Sequence, residues 1–453
     1  MRHAPNFSSR LLLQLRLLLL SLALVLTGVS ASAYATDTYD APSNVLTIPK
    51  VVVDPTTYSS VKITVGNILS VGGGAAAADH DTYSFATNKL AIPSVLVGST
   101  LYTNVVITVK SILSAALPVK KSSYENRMAA IQAIGPQLPP LTGDALAYAD
   151  FFQDGTYSYV IHSLEYNNQD PSTANKFGHI YFYRKINGAW VESTKTLLAD
   201  NTGCLHPRKA VVADFNGDGK PDIFFACHGF DASPYPGEQQ HILLSQPDGS
   251  YQNITTAFSC FCHGASAGDL NNDGYPDVVV ADQMVAQTPY VLINNGNGTF
   301  AQDFNRLPAD LKNRQIYSVE LIDFDNTGKL DLWLGGNEPN AYPYPAQSLL
   351  YPTIFRNDGQ GSFVAKAPLT LPADITHGEA LDIVYDSGYI YLLRTSDYTT
   401  AAIQKITYPS LTSSLIYSHT GAYSFGAQWI DWIGLYQGNI VSPRAEYQLA
   451  VPK

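Results

Sequence analysis

A nine-residue pattern occurs three times in the chain, as DFNGDGKPD at 214–222, DLNNDGYPD at 269–277 and DFDNTGKLD at 323–331. Each copy puts oxygen-bearing side chains at positions 1, 3, 5 and 9 and Gly at position 6. A tight loop needs this arrangement to wrap a hard cation of calcium size, with the position-7 carbonyl adding another oxygen. A helix-flanked calcium loop would also need Glu at position 12, where this chain has Phe225, Val280 and Leu334. The flanks VVA at 211–213, IFF at 223–225 and VVV at 278–280 are short and rich in β-formers, so the loops are expected at β-hairpin turns. An Asx-rich turn without metal is the alternative for one copy. Three copies in one register favour the cation.

A second turn signal follows each loop: LINNGNGTF at 292–300, IFRNDGQGSF at 354–363, and weaker forms at 243–251 and 182–190. Gly after Asn or Asp between apolar runs marks a hairpin, because these residues accept positive φ. Each unit therefore holds two hairpins, or four strands. The marker aspartates Asp214, Asp269 and Asp323 stand 55 and 54 residues apart, the length of a propeller blade with its connections. The stretch at 150–158 keeps the turn but has Phe152 at position 3 and Ser158 at position 9, so little or no metal is expected there. Segments 381–389 and 429–435 stand at the next positions without the metal chemistry. The expected fold is an all-β propeller of four-stranded blades over 116–453. Six inner strands are marked, and a seventh blade or a closing strand within 118–148 remains open.

These loops and turns resemble the FG-GAP/VCBS repeats of integrin α-subunit propellers and of many secreted bacterial proteins, over roughly 140–400. The resemblance implies a calcium-bearing propeller with about three Ca²⁺ sites. Carried over by position, the first site's ligands are Asp214, Asn216, Asp218, the Lys220 carbonyl and Asp222. The second site takes Asp269, Asn271, Asp273, the Tyr275 carbonyl and Asp277, and the third takes Asp323, Asp325, Thr327, the Lys329 carbonyl and Asp331. Thr327 stands where the others have a carboxylate, so the third site should be the weakest. Such a family determines fold better than function.

The N-terminus carries Arg2, Arg10 and Arg16 before an apolar run at 17–26, and Ala33 and Ala35 supply the small residues that a signal peptidase reads. Residues 1–35 are expected to be a secretory leader, with a membrane anchor over 11–29 as the rival. The chain is then secreted, periplasmic or held at the cell surface, with no transmembrane span after cleavage. Only 14% of residues are charged, Tyr numbers 29, and the formal charge is −11. This composition suits many strands joined by tight turns, and the acidic balance argues against a nucleic-acid partner.

A second repeat, of period 44, fills 36–115: Tyr39, Asn44, Leu46, Ile48, Val61 and Ile63 recur as Tyr83, Asn88, Leu90, Ile92, Val105 and Ile107. Each copy is expected to be a small strand-rich unit serving as spacer or docking module, with GGGAAAA at 72–78 as the joint. Cys204, Cys227, Cys260 and Cys262 suit two disulfides in an oxidising compartment. Cys260 and Cys262 look too close to pair, which leaves Cys204 with one of them and Cys227 with the other. Zinc on these cysteines and the adjoining histidines is the alternative, at atypical spacing.

His206, Arg208, His228, His263, Tyr317 and His377 flank inner strands and can converge on the channel or on one face. No GxSxG, HExxH or phosphate loop accompanies them. The expected function is binding of a glycan or an extracellular protein surface without catalysis. The alternative is a secreted polysaccharide lyase or hydrolase using the channel.

Overall fold

The computed structural model describes residues 37–53, 56–73, 80–84, 86–117, 119–137, 143–167, 169–338, 345–374, 376–396, 399–421, 432–442 and 449–453. The leader read at 1–35 lies outside the described residues, as do 74–78 of the joint and 429–431 of the last marker. From residue 143 onward the chain folds into successive antiparallel sheets, each a meander of neighbouring strands. Five are four-stranded: blade 1 (143–192), blade 2 (207–260), blade 3 (262–303), blade 4 (316–370) and blade 5 (379–420). Blade 6 (434–452) has three described strands. The second strands Asp222–Cys227, Asp277–Asp282 and Asp331–Gly336 are buried at every position. Neighbouring blades cover both their faces, so these strands read as continuous apolar runs rather than as alternation. The fourth strand of blade 2, Tyr251–Cys260, alternates more and is partly exposed.

The ring closes through six apolar clusters, one between each adjacent pair of sheets. Phe182 of blade 1 packs with Phe225 of blade 2, Phe224 of blade 2 with Val280 of blade 3, and Val279 of blade 3 with Leu334 of blade 4. Trp333 of blade 4 meets Ile390 of blade 5, and Leu393 of blade 5 meets Ile440 of blade 6. Val441 of blade 6 returns to Tyr159 of blade 1, beside an edge-on Tyr148–Trp432 pair with centroids 5.9 Å apart. Truncating such a ring to Ala costs about 3–5 kcal/mol, because the rigid neighbours cannot collapse into the void. No seventh blade forms from 118–148 among the described residues. That segment instead supplies the inner strand of blade 1, Gly143–Ala149, and a helix, α1 (Ser123–Ile134).

Helix α1 is specified locally. The Ser122 hydroxyl accepts the Glu125 amide at 3.2 Å, the Glu125 carboxylate accepts the Lys121 amide at 3.1 Å, and Gly135 ends the helix at φ 71°. This is close to a capping box at the start and a glycine stop at the end. The helix touches the inner strands of blades 1 to 4 and of blade 6, while the Tyr124 hydroxyl accepts the Tyr385 amide of blade 5 at 2.8 Å. A single helix in contact with all six sheets must lie in the middle of the ring. It fits closely against blade 6, since a Cβ on Gly434 would lie 2.4 Å from Cδ1 of Ile131.

The 44-residue copies do not form two units. Their strands make one six-stranded sheet in which the first strand of each copy crosses to the other. Asp37–Asp40 pairs in parallel with Lys89–Val97, and Asp81–Ser84 pairs with Val45–Val53. The sheet thereby closes on itself around Leu46, Ile48, Ile63, Leu90, Ile92 and Ile107. Each copy's strands leave an apolar face that the other copy covers, so the copies share one core. Asp37 and Asp81, equivalent in the two copies, are buried in it.

Candidate functional site

All three nine-residue loops connect the first and second strands of consecutive blades, with Ala213 paired to Asp222, Gly268 to Asp277 and Ile322 to Asp331. Gly219, Gly274 and Gly328 at position 6 have φ of 80°, 93° and 80°, the left-handed conformation that makes Gly necessary in this turn. The position-1 aspartate holds the turn together. Asp214 accepts the Asp218 and Gly219 amides at 3.0 and 2.8 Å, Asp269 accepts those of Asp273 and Gly274 at 3.2 and 3.0 Å, and Asp323 accepts those of Thr327 and Gly328 at 3.0 and 2.8 Å. The position-9 aspartate ties the loop to the third strand. Asp222 accepts the Ser245 amide at 2.7 Å, Asp277 that of Asn294 at 2.9 Å and Asp331 that of Asn357 at 3.0 Å.

The donor sets differ in how their charge is balanced. In the first loop, burial and then the neighbouring Asp218 push Asp214 up to about 6, and burial pushes the position-9 Asp222 well above the carboxylate range. In the second loop, burial pushes Asp277 up to about 7. Lys220 Nζ lies 3.8 Å from Asp218 in the first loop, and a divalent cation would balance the remaining carboxylates. In the third loop a protein cation stands in that place: the Arg356 guanidinium pairs with Asp331 and lies 3.9 Å from Asp325. Blade 1 shows the bare scaffold. Asp150 accepts the Asp154 and Gly155 amides at 2.9 and 2.8 Å, and Ser158 at position 9 accepts the Phe151 amide at 3.1 Å, as Asp222 accepts that of Phe215 at 2.7 Å. The first and second sets fit calcium in ligand type, although their carboxyl oxygens face backbone amides and would have to turn toward an ion.

The middle of the ring is polar. Arg127 of α1 pairs with Glu320 at 3.0 Å and Asp382 at 3.1 Å, Lys209 also pairs with Glu320, and Ser123 meets Ser266 at 3.1 Å. The open part of the channel is lined by Arg127, Lys209, Glu320, Arg208, His263 and Tyr317. The inner strands begin at the face opposite the loops, and there the fold gathers five of the six residues singled out from the sequence. His206, His228, His263 and Tyr317 follow one another with ring centroids 4.7, 4.5 and 4.9 Å apart, and Arg208 lines the adjoining channel. Burial holds His228 well below the usual imidazole range. His377 lies apart, just before blade 5 and beside Ser418.

The cysteines pair as Cys204–Cys227 and Cys260–Cys262, not across the two sets. Pairing of Pro207 with Cys227 at the end of blade 2 brings the first two together, with Cα atoms 5.8 Å apart. Cys260 ends blade 2 and Cys262 begins blade 3, and the turn at Phe261 folds their Cα atoms to 5.0 Å. What the sequence reading missed is Arg356 and α1. The first is an unremarked arginine inside the second turn signal, and the second was announced by its capping box.

A family model for the FG-GAP-like repeat matches residues 167–225 and 238–334. Integrin alpha-V of Gallus gallus is 25% identical over 238 residues, 48% of this chain and 22% of that protein. Integrin alpha-PS3 of Drosophila melanogaster is 24% identical over 239 residues, 45% of this chain and 20% of that protein. The match thus spans about a fifth of the length of these relatives. The solved structure of Saccharomyces cerevisiae Sqt1 is 11% identical, covers 70% of this chain and 84% of its own, and superposes with a TM-score of 0.39, too low to carry an argument. The repeat match falls on the blades that carry the nine-residue loops, so the chain carries FG-GAP-like repeats within an all-β, propeller-like fold.

Proposed function

We propose that the chain is an exported, calcium-stabilised propeller that binds a protein or glycan surface outside the cytoplasm and performs no catalysis of its own. The observation that carries the metal is the recurrence of one oxygen-bearing set at 214–222 and 269–277, each wound around a left-handed glycine, Gly219 or Gly274, with its position-9 aspartate, Asp222 or Asp277, buried. Ca²⁺ would be held by Asp214, Asn216, Asp218, the Lys220 carbonyl and Asp222, and by Asp269, Asn271, Asp273, the Tyr275 carbonyl and Asp277. The third set is the weakest, because Arg356 already supplies charge there. The ion would lock the first hairpin of each blade. The two disulfides support an oxidising compartment, and the leader motif supports export. The closed six-stranded sheet of the 44-residue repeats is read as a spacer or docking domain, with 116–453 as the propeller domain.

Thermal melts with Ca²⁺ and with EGTA at equal ionic strength test the metal. At a hundredfold excess over Kd each site adds about 2.7 kcal/mol, and an unchanged melt removes the calcium assignment. A glycan and extracellular-protein array, run beside polysaccharide incubations scored for new reducing ends or unsaturated product, tests the rest. Binding without product supports this reading. Product formation replaces it with a polysaccharide-active enzyme.

A further inference from the structure

We propose that His206, His228 and Asp231, with His263 beside them, form a second metal site of a different class. It would take a borderline divalent transition ion such as Zn²⁺, on the face opposite the acidic loops. Donor atoms of His206, His228 and Asp231 lie within 4.8 Å of one another. Imidazole and carboxylate donors together suit zinc and its neighbours rather than calcium, which takes oxygen alone. Nε2 of His228 stands 3.3 Å from Nε2 of His263. Two nitrogens at about 2.0–2.1 Å on one tetrahedral ion lie about that far apart.

The surroundings hold these ligands in place. The Cys204–Cys227 disulfide joins the segments that run into His206 and His228. The Glu238 carboxylate accepts the amides of Leu205, His206 and Gly229 at 2.9, 3.0 and 3.0 Å, which fixes both backbones around the cluster. The Tyr166 hydroxyl lies 3.0 Å from Nδ1 of His206, and the Gly229 carbonyl lies 3.4 Å from Nδ1 of His228. With Nδ1–H donating to these oxygens, each ring presents Nε2 as a lone pair. Outer partners on the remote nitrogen orient metal-ligating histidines in this way. His206 and His228 are buried, whereas Asp231 is half-buried at the rim. With His263 as the fourth ligand the ion would be closed in, as tetrahedral structural zinc sites are. None of these residues belongs to an acidic loop, so the site stands or falls independently of calcium.

The test titrates the full-length protein, stripped of metal and returned to saturating Ca²⁺, with Zn²⁺ by calorimetry, and repeats the titration with Co²⁺ read by visible absorption. The expected result is one Zn²⁺ per chain that Ca²⁺ does not displace. His206→Ala and Asp231→Asn should each weaken it by about tenfold or more, and Tyr166→Phe by about tenfold. His419→Ala should leave it unchanged. Near-UV circular dichroism checks folding. If His206→Ala misfolds, Asp231→Asn at the rim decides the matter. No zinc binding in excess Ca²⁺, or binding that Asp231→Asn leaves intact, overturns the assignment. So does a set of weak sites that His419→Ala reduces equally.

Discussion

Replacing Arg127 by Met would remove a charge from the middle of the ring while keeping most of the side-chain volume. The guanidinium lies 3.0 Å from Glu320 and 3.1 Å from Asp382, whose side chains are 2% and 0% exposed. After the change Glu320 still has Lys209 and the Ser266 hydroxyl, whereas Asp382 retains the Ile433 amide at 2.7 Å. Taking one partner from a buried ion pair costs about 3–5 kcal/mol, because a charge is left without compensation. Since Lys209 still serves Glu320, the cost falls mainly on Asp382, and the lower end, about 3 kcal/mol, is expected. Burial already pushes Asp382 up to about 6 against the pull of Arg127, and without that pull it rises further. The folded-state pKa then lies above the unfolded one, so stability is lost as pH rises through the folded value. The variant's deficit should be larger at pH 8 than at pH 5. Urea denaturation of the wild type, Arg127→Met, Asp382→Asn and the double variant measures both effects, and the double variant should recover most of the loss. A deficit below about 1 kcal/mol at pH 8, or one that does not change with pH, would refute the reasoning.

Calorimetry should show calcium affinity falling for Asp218→Ala and Asp273→Ala, falling less for Thr327→Ala and holding for Ser158→Ala. Arg356→Met should strengthen the third site by removing the competing cation, and a third site as strong as the first in the wild type contradicts this order. The buried Asp37–Asp81 pair makes the 44-residue module acid-favoured. Burial and then Asp81 push Asp37 up to about 9, and burial pushes Asp81 to about 7, so stability should fall as pH rises from about 4 toward 9. Asp37→Asn should flatten that slope in pH-dependent melts, and an unchanged slope counts against the pair. Non-reducing peptide mapping should yield a 204–227 cross-link and a 260–262 loop, and a 204–260 peptide would contradict the structure. A chain starting at 116 keeps the Leu117 amide on Asp150 at 3.0 Å. It should fold with a cooperative melt, and its failure to fold would merge the two domains.

Much of the architecture was legible because it is locally encoded. Gly219, Gly274 and Gly328 stand at the turn position that needs Gly, the runs IFF and VVV read as strands, and the recurring marker aspartates set the blade length. The closure was not local. Val441 meets Tyr159 across most of the chain, and α1 is a plug rather than a surface helix only because six inner strands surround it. The charge state of the loops was likewise settled by packing. DFDNTGKLD shares the terminal aspartates and the position-6 glycine with its two sister loops, yet Arg356, arriving from the next hairpin, pairs with Asp331 and sets that loop apart. The cysteine pairing depended on where the chain leaves one blade for the next, which bends Cys260 back on Cys262. The histidines at 206, 228 and 263 lie far apart in sequence and were visible there only as separate strand ends. Side-by-side packing of blades 2 and 3 makes them one cluster, because residues that begin or end neighbouring strands meet only when the sheets are stacked.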